Sequence, residues 1–136
     1  MISWPRHLPE NQVRGQLAIG CDWFPTIAEL CQIELPKHRL DGRSLVPVIQ
    51  SETAPSLHAE FHWMTGNQWV VRQGDWKLIG NPKDTSNKAP LTKEDRLFLV
   101  NLKDDIGESR NLAAENPDRV KALQAAHNDW ANGLKP

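Results

Sequence analysis

Between Leu57 and Leu102 apolar residues fall near every second position, and two tight-turn dipeptides, Gly66-Asn67 and Gly74-Asp75, interrupt the stretch. Alternation of this kind marks half-buried strands, and a two-residue loop that follows their twist needs a glycine-tolerant backbone. The spacing predicts strands at 58–64, 68–73, 75–80 and 96–102, joined as an antiparallel meander. Trp69 and Val71 then share one face of their strand, and Phe98, Val100 and Leu102 alternate along the last one. Residues 81–95, rich in Pro, Ser, Thr, Asn and charge, read as a surface loop.

Helical signals flank this region. Asn116-Pro117 opens a terminal helix, with Asn as the N-cap, Pro in the first turn and Asp118 well placed against the helix dipole. Val120, Leu123, Ala126 or His127, and Trp130 recur on one side, and Gly133 supplies a stop, so this helix should lie across one sheet face. Upstream, Asp22 is placed to cap a helix over 23–32 that carries Pro25 in its first turn. Phe24, Ile27, Ala28, Leu30 and Cys31 give that helix one broad apolar face, and Pro36 follows as a breaker. Ser44 can cap a short helix at 44–50 with Pro47 near its start. The expected fold class is α+β: an antiparallel four-stranded sheet covered by a C-terminal helix (57–136), preceded by an N-terminal helical segment (1–56).

The 136 residues carry 16 basic and 17 acidic side chains, a net charge of −1, without a basic stripe interleaved with aromatics. Nucleic acid and anionic membrane surfaces are poor partners for such a chain. Apolar runs such as 97–100 fall far short of the roughly 20 residues that span a bilayer. Met1 to His7 show neither the charged start nor the apolar core of an export signal, which leaves the compartment open. Cys21 and Cys31 read as small buried hydrophobes, too far apart along a helix to bridge.

Among residues that could do chemistry, His58, Glu60 and His62 alternate, so a strand would turn them to one side, where two imidazoles and a carboxylate could surround a metal. A polar strand face near a rim is the plainer reading, because alternate strand positions lie further apart than a helical ligand pair. His7, His38 and His127 stand alone, and no serine or cysteine sits in a nucleophile elbow. Asp104, Asp105 and Glu108 lack the order of a calcium loop and read as a solvated turn. Of the tryptophans, Trp76 and Trp130 belong by periodicity to the core. Trp63 and Trp69 flank the Thr65-Gly66-Asn67 turn, where an indole can stack on a ligand ring. The candidate substrate-binding set is therefore His58, His62, Trp63, Asn67 and Trp69, with no catalytic residue and no metal ligand assigned.

The run Trp69-Val70-Val71-Arg72-Gln73-Gly74-Asp75-Trp76-Lys77-Leu78-Ile79 resembles the "AVR-x-GDWKLI" hairpin of the sulfatases. Asp22-Trp23-Phe24-Pro25-Thr26 is similar to the family's "D-x-x-PT" helix start, and Asp41-Gly42-Arg43-Ser44-Leu45 to its "DG-x-SL" turn. Leu99-Val100-Asn101-Leu102, Asp105, Gly107-Glu108 and Asn111-Leu112-Ala113 resemble "LYDL-x-x-DPGE-x-x-NLA", with Ile106 where Pro is usual. Val70 stands where Ala is usual. The resemblance implies hydrolysis of aryl or carbohydrate sulfate esters in the complete family enzyme. That enzyme uses a formylglycine, made from the Cys or Ser of a C/S-x-P-x-R motif, beside a calcium held by Asp and Asn.

Neither cysteine fits that motif, and Ser3-Trp4-Pro5-Arg6 brings its arginine one position early. The resemblance therefore implies no cofactor in this chain. Its implied partners are an N-terminal sulfatase domain, of which 1–56 would form the end, and a sulfated carbohydrate; the broad apolar face of the 22–33 helix separately suggests self-association. A periplasmic or secreted setting would suit the complete enzyme. The alternative is a free-standing carbohydrate-binding or interaction module derived from a sulfatase.

Overall fold

The computed structural model describes residues 1–83, 91–92 and 94–134, and the chain divides into two compact units, Met1–His58 and Ala59–Pro136. In the second unit four strands, β1 (Glu60–Thr65), β2 (Gln68–Gln73), β3 (Trp76–Gly80) and β4 (Leu97–Asn101), form one antiparallel meander in the order β1-β2-β3-β4. Pairing begins at Glu60 instead of residue 58, so His58 lies outside the strand. Each of the first two hairpins closes over a two-residue loop whose first member has positive φ, Gly66 at 60° and Gly74 at 56°. Glycine takes this backbone without a Cβ clash. Of the expected 81–95 loop, residues 84–90 and 93 lie outside the described residues.

The pairings Val71↔Leu78 and Leu78↔Leu99 align three fully buried side chains across the sheet. Helix α3 (Pro117–Asn132) lies over them and adds Leu123, 1% exposed, while Trp69, Trp76, Leu97, Leu112, Ala113 and Val120 pack around this cluster. Each such large aliphatic removed from water contributes roughly 1.5–3 kcal/mol. Phe98 and Val100 turn to the opposite face, where they meet Ile79, Leu91 and Leu102. Trp76 and Trp130 are half-buried at the margins of the core, not inside it.

The free edge of β4 is covered by Asn111, whose Oδ1 accepts from the Leu99 amide (3.0 Å) and whose Nδ2 donates to the Leu97 carbonyl (3.0 Å). With the Leu112 amide, which donates to the Leu99 carbonyl at 2.8 Å, this asparagine does for an edge strand what a fifth strand would do. Asn116 occupies the N-cap of α3 but does not cap it; its Nδ2 donates back to the Leu112 carbonyl at 3.1 Å.

In the first unit a 3₁₀ turn (Gly20–Asp22) leads into α1 (Trp23–Leu30), and α2 (Val46–Gln50) follows. Helix α1 stops before the expected residue 32 without help from Pro36. Gln32 takes φ 56°, Gln32 N donates to the Glu29 carbonyl and Ile33 N to the Ala28 carbonyl. This is a Schellman closure with glutamine in the position glycine usually takes. The predicted apolar face of α1 is split: Pro25, Thr26 and Ala28 are buried, whereas Phe24 and Ile27 are exposed. Both cysteines are exposed and free, contrary to the buried reading, because Cys21 lies on the outside of the 3₁₀ turn and Cys31 on the C-cap of α1.

Candidate functional site

The five candidate residues do not meet in one place. His58 belongs to the first unit, where its Nε2 lies 2.8 Å from Oδ1 of the fully buried Asp22. Asp22 does not cap α1 with its side chain, as expected from its position; Oδ2 accepts from the Ile19 amide (2.8 Å) and Oδ1 from the Arg43 amide (2.9 Å). Burial raises the Asp22 pKa, but these two amides and the His58 imidazole outweigh it and hold the carboxyl below its ordinary range. Thr26 Oγ1 donates to the Asp22 carbonyl (2.6 Å) and accepts from the Leu45 amide (2.8 Å). The Asp22–Thr26 and Asp41–Leu45 motifs are thus two halves of one hydrogen-bonded knot.

In the second unit His62 and Trp69 lie on the face under α3. The His62 ring stacks on Trp130 (centroids 4.9 Å, 10°) and Trp69 on His127 (4.2 Å, 10°). His127, expected to stand alone, is 4% exposed, and its ring lies 5.9 Å from that of His62. Burial, with a smaller push from His62, lowers the His127 pKa. His62 Nε2 is 3.1 Å from Glu60 Oε1 but lacks hydrogen-bond alignment, and neither His62 ring nitrogen nor His127 Nδ1 has a hydrogen-bond partner. The Glu60 carboxyl is held below its ordinary range, first by the Gln73 amide, which donates to Oε2 at 2.7 Å, and then by the nearby His62 imidazole. Trp69 is spent on packing: a Cβ on Gly80 would come within 1.9 Å of its indole.

Trp63 lies on the opposite face, 41% exposed. There it borders a groove of about 370 Å³ together with Val70, Arg72, Lys77, Ile106 and Glu108. Lys77 Nζ donates to both Glu108 carboxylate oxygens (2.7 and 2.8 Å). Glu108 reaches it from a left-handed backbone, φ 53°, so the reversal falls on Glu108 and not on Gly107. The acidic turn is thereby structured rather than merely solvated, since Asp105 Oδ2 also accepts from the Ser109 and Arg110 amides. Asn67 sits exposed in the β1–β2 turn and offers its carbonyl to Asn81 Nδ2 at 2.6 Å. Among the described residues no three His, Cys, Asp or Glu are grouped to hold a metal, so His58, Glu60 and His62 do not form the metal site their alternation allowed.

The chain matches no protein-family model. It is similar to mouse steryl-sulfatase, 29% identical over 100% of this chain and 26% of that protein. It is 30% identical to bovine arylsulfatase A over 92% of the chain and 28% of the relative, and 31% identical to a sulfatase of Formosa agariphila over 88% and 23%. The chain belongs to the sulfatase family. Among solved structures, Ps i-CgsB superposes with a TM-score of 0.68 at 19% identity, covering 93% of this chain and 27% of that one. A glycosaminoglycan-metabolism protein of Bacteroides thetaiotaomicron superposes with a TM-score of 0.58 at 21% identity, covering 79% and 24%. These two likenesses concern the fold. The sulfatase-family chain thus spans about a quarter of the length of the relatives it matches.

The family motifs acquire physical roles here. Gly42 is required because a Cβ would fall 2.1 Å from the Cys21 carbonyl oxygen, and Asn111 is required to cover β4. Sequence reasoning did not single out Arg72, Lys77 or Glu108 as site residues. The two-residue Gly66-Asn67 loop was the available signal, because it pairs Trp63 with Val70 and places Arg72 on the same face as Trp63.

Proposed function

We propose that this chain supplies the C-terminal part of a sulfuric ester hydrolase acting on aryl or carbohydrate sulfates, and that it is inert by itself. Its similarity to sulfatases from end to end, together with the lack of any C/S-x-P-x-R order in its sequence, carries this reading. The calcium of the family finds no fitting donor set among the described residues, so no step through a metal is derived for this chain. The partner is a polypeptide bearing the nucleophile and metal ligands, and the exposed apolar residues Phe24, Ile27 and Ile33 suit contact with it. The substrate class follows the relatives, which carry the names steryl-sulfatase and arylsulfatase A.

The test is turnover of a chromogenic aryl sulfate by the purified chain, with and without calcium, and again with a sulfatase N-terminal domain supplied in trans. The expected result is no turnover alone and turnover only with the added domain. Activity of the chain alone that survives repurification and is lost in a His58→Ala, His62→Ala double variant would overturn the proposal.

A further inference from the structure

The sheet face opposite α3 brings two cationic side chains of the hairpin motif, Arg72 and Lys77, beside an exposed tryptophan, Trp63. Strand register sets two neighbouring rows on it: Phe61, Arg72, Lys77 and Val100 in one, Trp63, Val70, Ile79 and Phe98 in the next. Rows of this kind are about 7 Å apart along the strand. Phe98 and Val100 are buried, but Trp63 keeps 41% of its surface in solvent, steadied by a tilted contact with the Phe61 ring at 5.6 Å. An indole held with one face open is a platform for another flat or weakly polar surface.

Charge distinguishes this groove from a merely apolar one. Lys77 is neutralised by its two-pronged contact with Glu108. Arg72 is not: its Nε donates to the Gly74 carbonyl at 2.8 Å, which fixes the guanidinium, while its terminal nitrogens form no hydrogen bond among the described residues. A fixed planar fork with free N–H groups fits a sulfate or carboxylate better than a point charge does. The groove, about 370 Å³, lies within the roughly 300–1,000 Å³ typical of small-molecule sites.

We infer that this groove binds an anionic pyranose, with the sugar ring laid on Trp63 and its sulfate or carboxylate held by the Arg72 guanidinium. The inference deepens the sulfatase reading, on which the choice of a sugar rests, by placing an anion-binding subsite within the chain itself. Val70 and Ile106 supply apolar contact beside the ring, and the Lys77–Glu108 pair offers polar edges for its hydroxyls. The residues differ from the set the sequence suggested: only Trp63 is common to both.

The test is titration of the full 136-residue chain by calorimetry and by the Trp63 indole N–H resonance. The probes are a sulfated disaccharide, an unsulfated uronate disaccharide, a neutral disaccharide and inorganic sulfate. The expected result is that either anionic sugar shifts the Trp63 resonance, with the comparison of the two identifying the preferred anion. Trp63→Ala and Arg72→Gln should each weaken binding by about tenfold or more, the loss of one stacking surface or one charge-assisted pair. Trp63 is exposed, so Trp63→Ala keeps the test decisive should Arg72→Gln disturb the Gly74 turn. Equal affinity for the neutral sugar, equal affinity for sulfate alone, or binding unchanged in Trp63→Ala would overturn the inference. So would loss of the groove to a second copy of the chain, seen as Trp63-dependent dimerisation. Catalytic complementation in trans is a separate readout, so failure of the subsite leaves the sulfatase reading intact and the reverse.

Discussion

His58 Nε2 and Asp22 Oδ1, 36 positions apart in sequence, lie 2.8 Å from each other in the first unit. The contact completes the ring of donors around a carboxylate with no solvent access, in which the Ile19 and Arg43 amides are the other members. Replacing Asp22 by Ala removes the acceptor of the Ile19 and Arg43 amides and the carboxylate partner of the His58 ring, and a buried donor left without an acceptor costs about 1–3 kcal/mol. Asp22→Ala should therefore unfold the Met1–His58 unit while the sheet persists, which hydrogen exchange would resolve. In the wild type the depressed Asp22 pKa contributes stability that is fully present above the ordinary value of about 3.9 and is lost as pH falls below it.

His127 sets a second, milder acid limit in the Ala59–Pro136 unit. Its folded pKa is depressed by burial and by His62, so below about 6.5 the unfolded chain takes up a proton that the folded chain refuses. Stability should be full above that pH and decline as pH falls toward the folded pKa, by at most about 1.4 kcal/mol per pH unit for this one group. The groups facing it are His62 from β1, Trp69 from β2 and Trp130 on its own helix, with Glu60 beside His62. Thermal melts of the wild type and His127→Phe from pH 7.5 to 5 check this. An unchanged slope in the variant would assign the acid sensitivity elsewhere.

Gly42→Ala should destabilise the first unit by about 2 kcal/mol or more, since the new methyl meets backbone, not a movable side chain. Gly15→Ala, with nothing within 4 Å of its Cβ, is the matched control and should change stability by less than about 0.5 kcal/mol. Urea midpoints of the two variants decide between a packing requirement at Gly42 and a general intolerance of the segment.

Phe24 and Ile27, 55% and 53% exposed on α1, and Ile33, 61% exposed just beyond it, leave apolar surface in water. The isolated chain should self-associate through them at high concentration. Sedimentation of the wild type against a Phe24→Lys, Ile27→Lys double variant is the check, the variant being expected to run as a monomer. A monomeric wild type would remove self-association from the list of partners.

The local parts of this fold were legible in the sequence, because each rests on interactions within a few residues. Glycines at the first loop positions produce the hairpins, the alternation around them produces the strands, and Asn116-Pro117 opens α3. Which sheet face α3 would cover was not legible. A period of two says that Val71 and Trp69 agree in direction, but only the packing of Leu123 on Val71, Leu78 and Leu99 decides that theirs is the covered face and that Trp63 looks the other way. The roles of Asp22 and His58 depended on the same kind of distant information, since a buried carboxylate needs donors that the chain delivers from residues 19, 43 and 58. Burial of the cysteines failed for a related reason: hydrophobic character makes a residue eligible for a core, while three-dimensional crowding chooses among the eligible, and Cys21 and Cys31 were left outside.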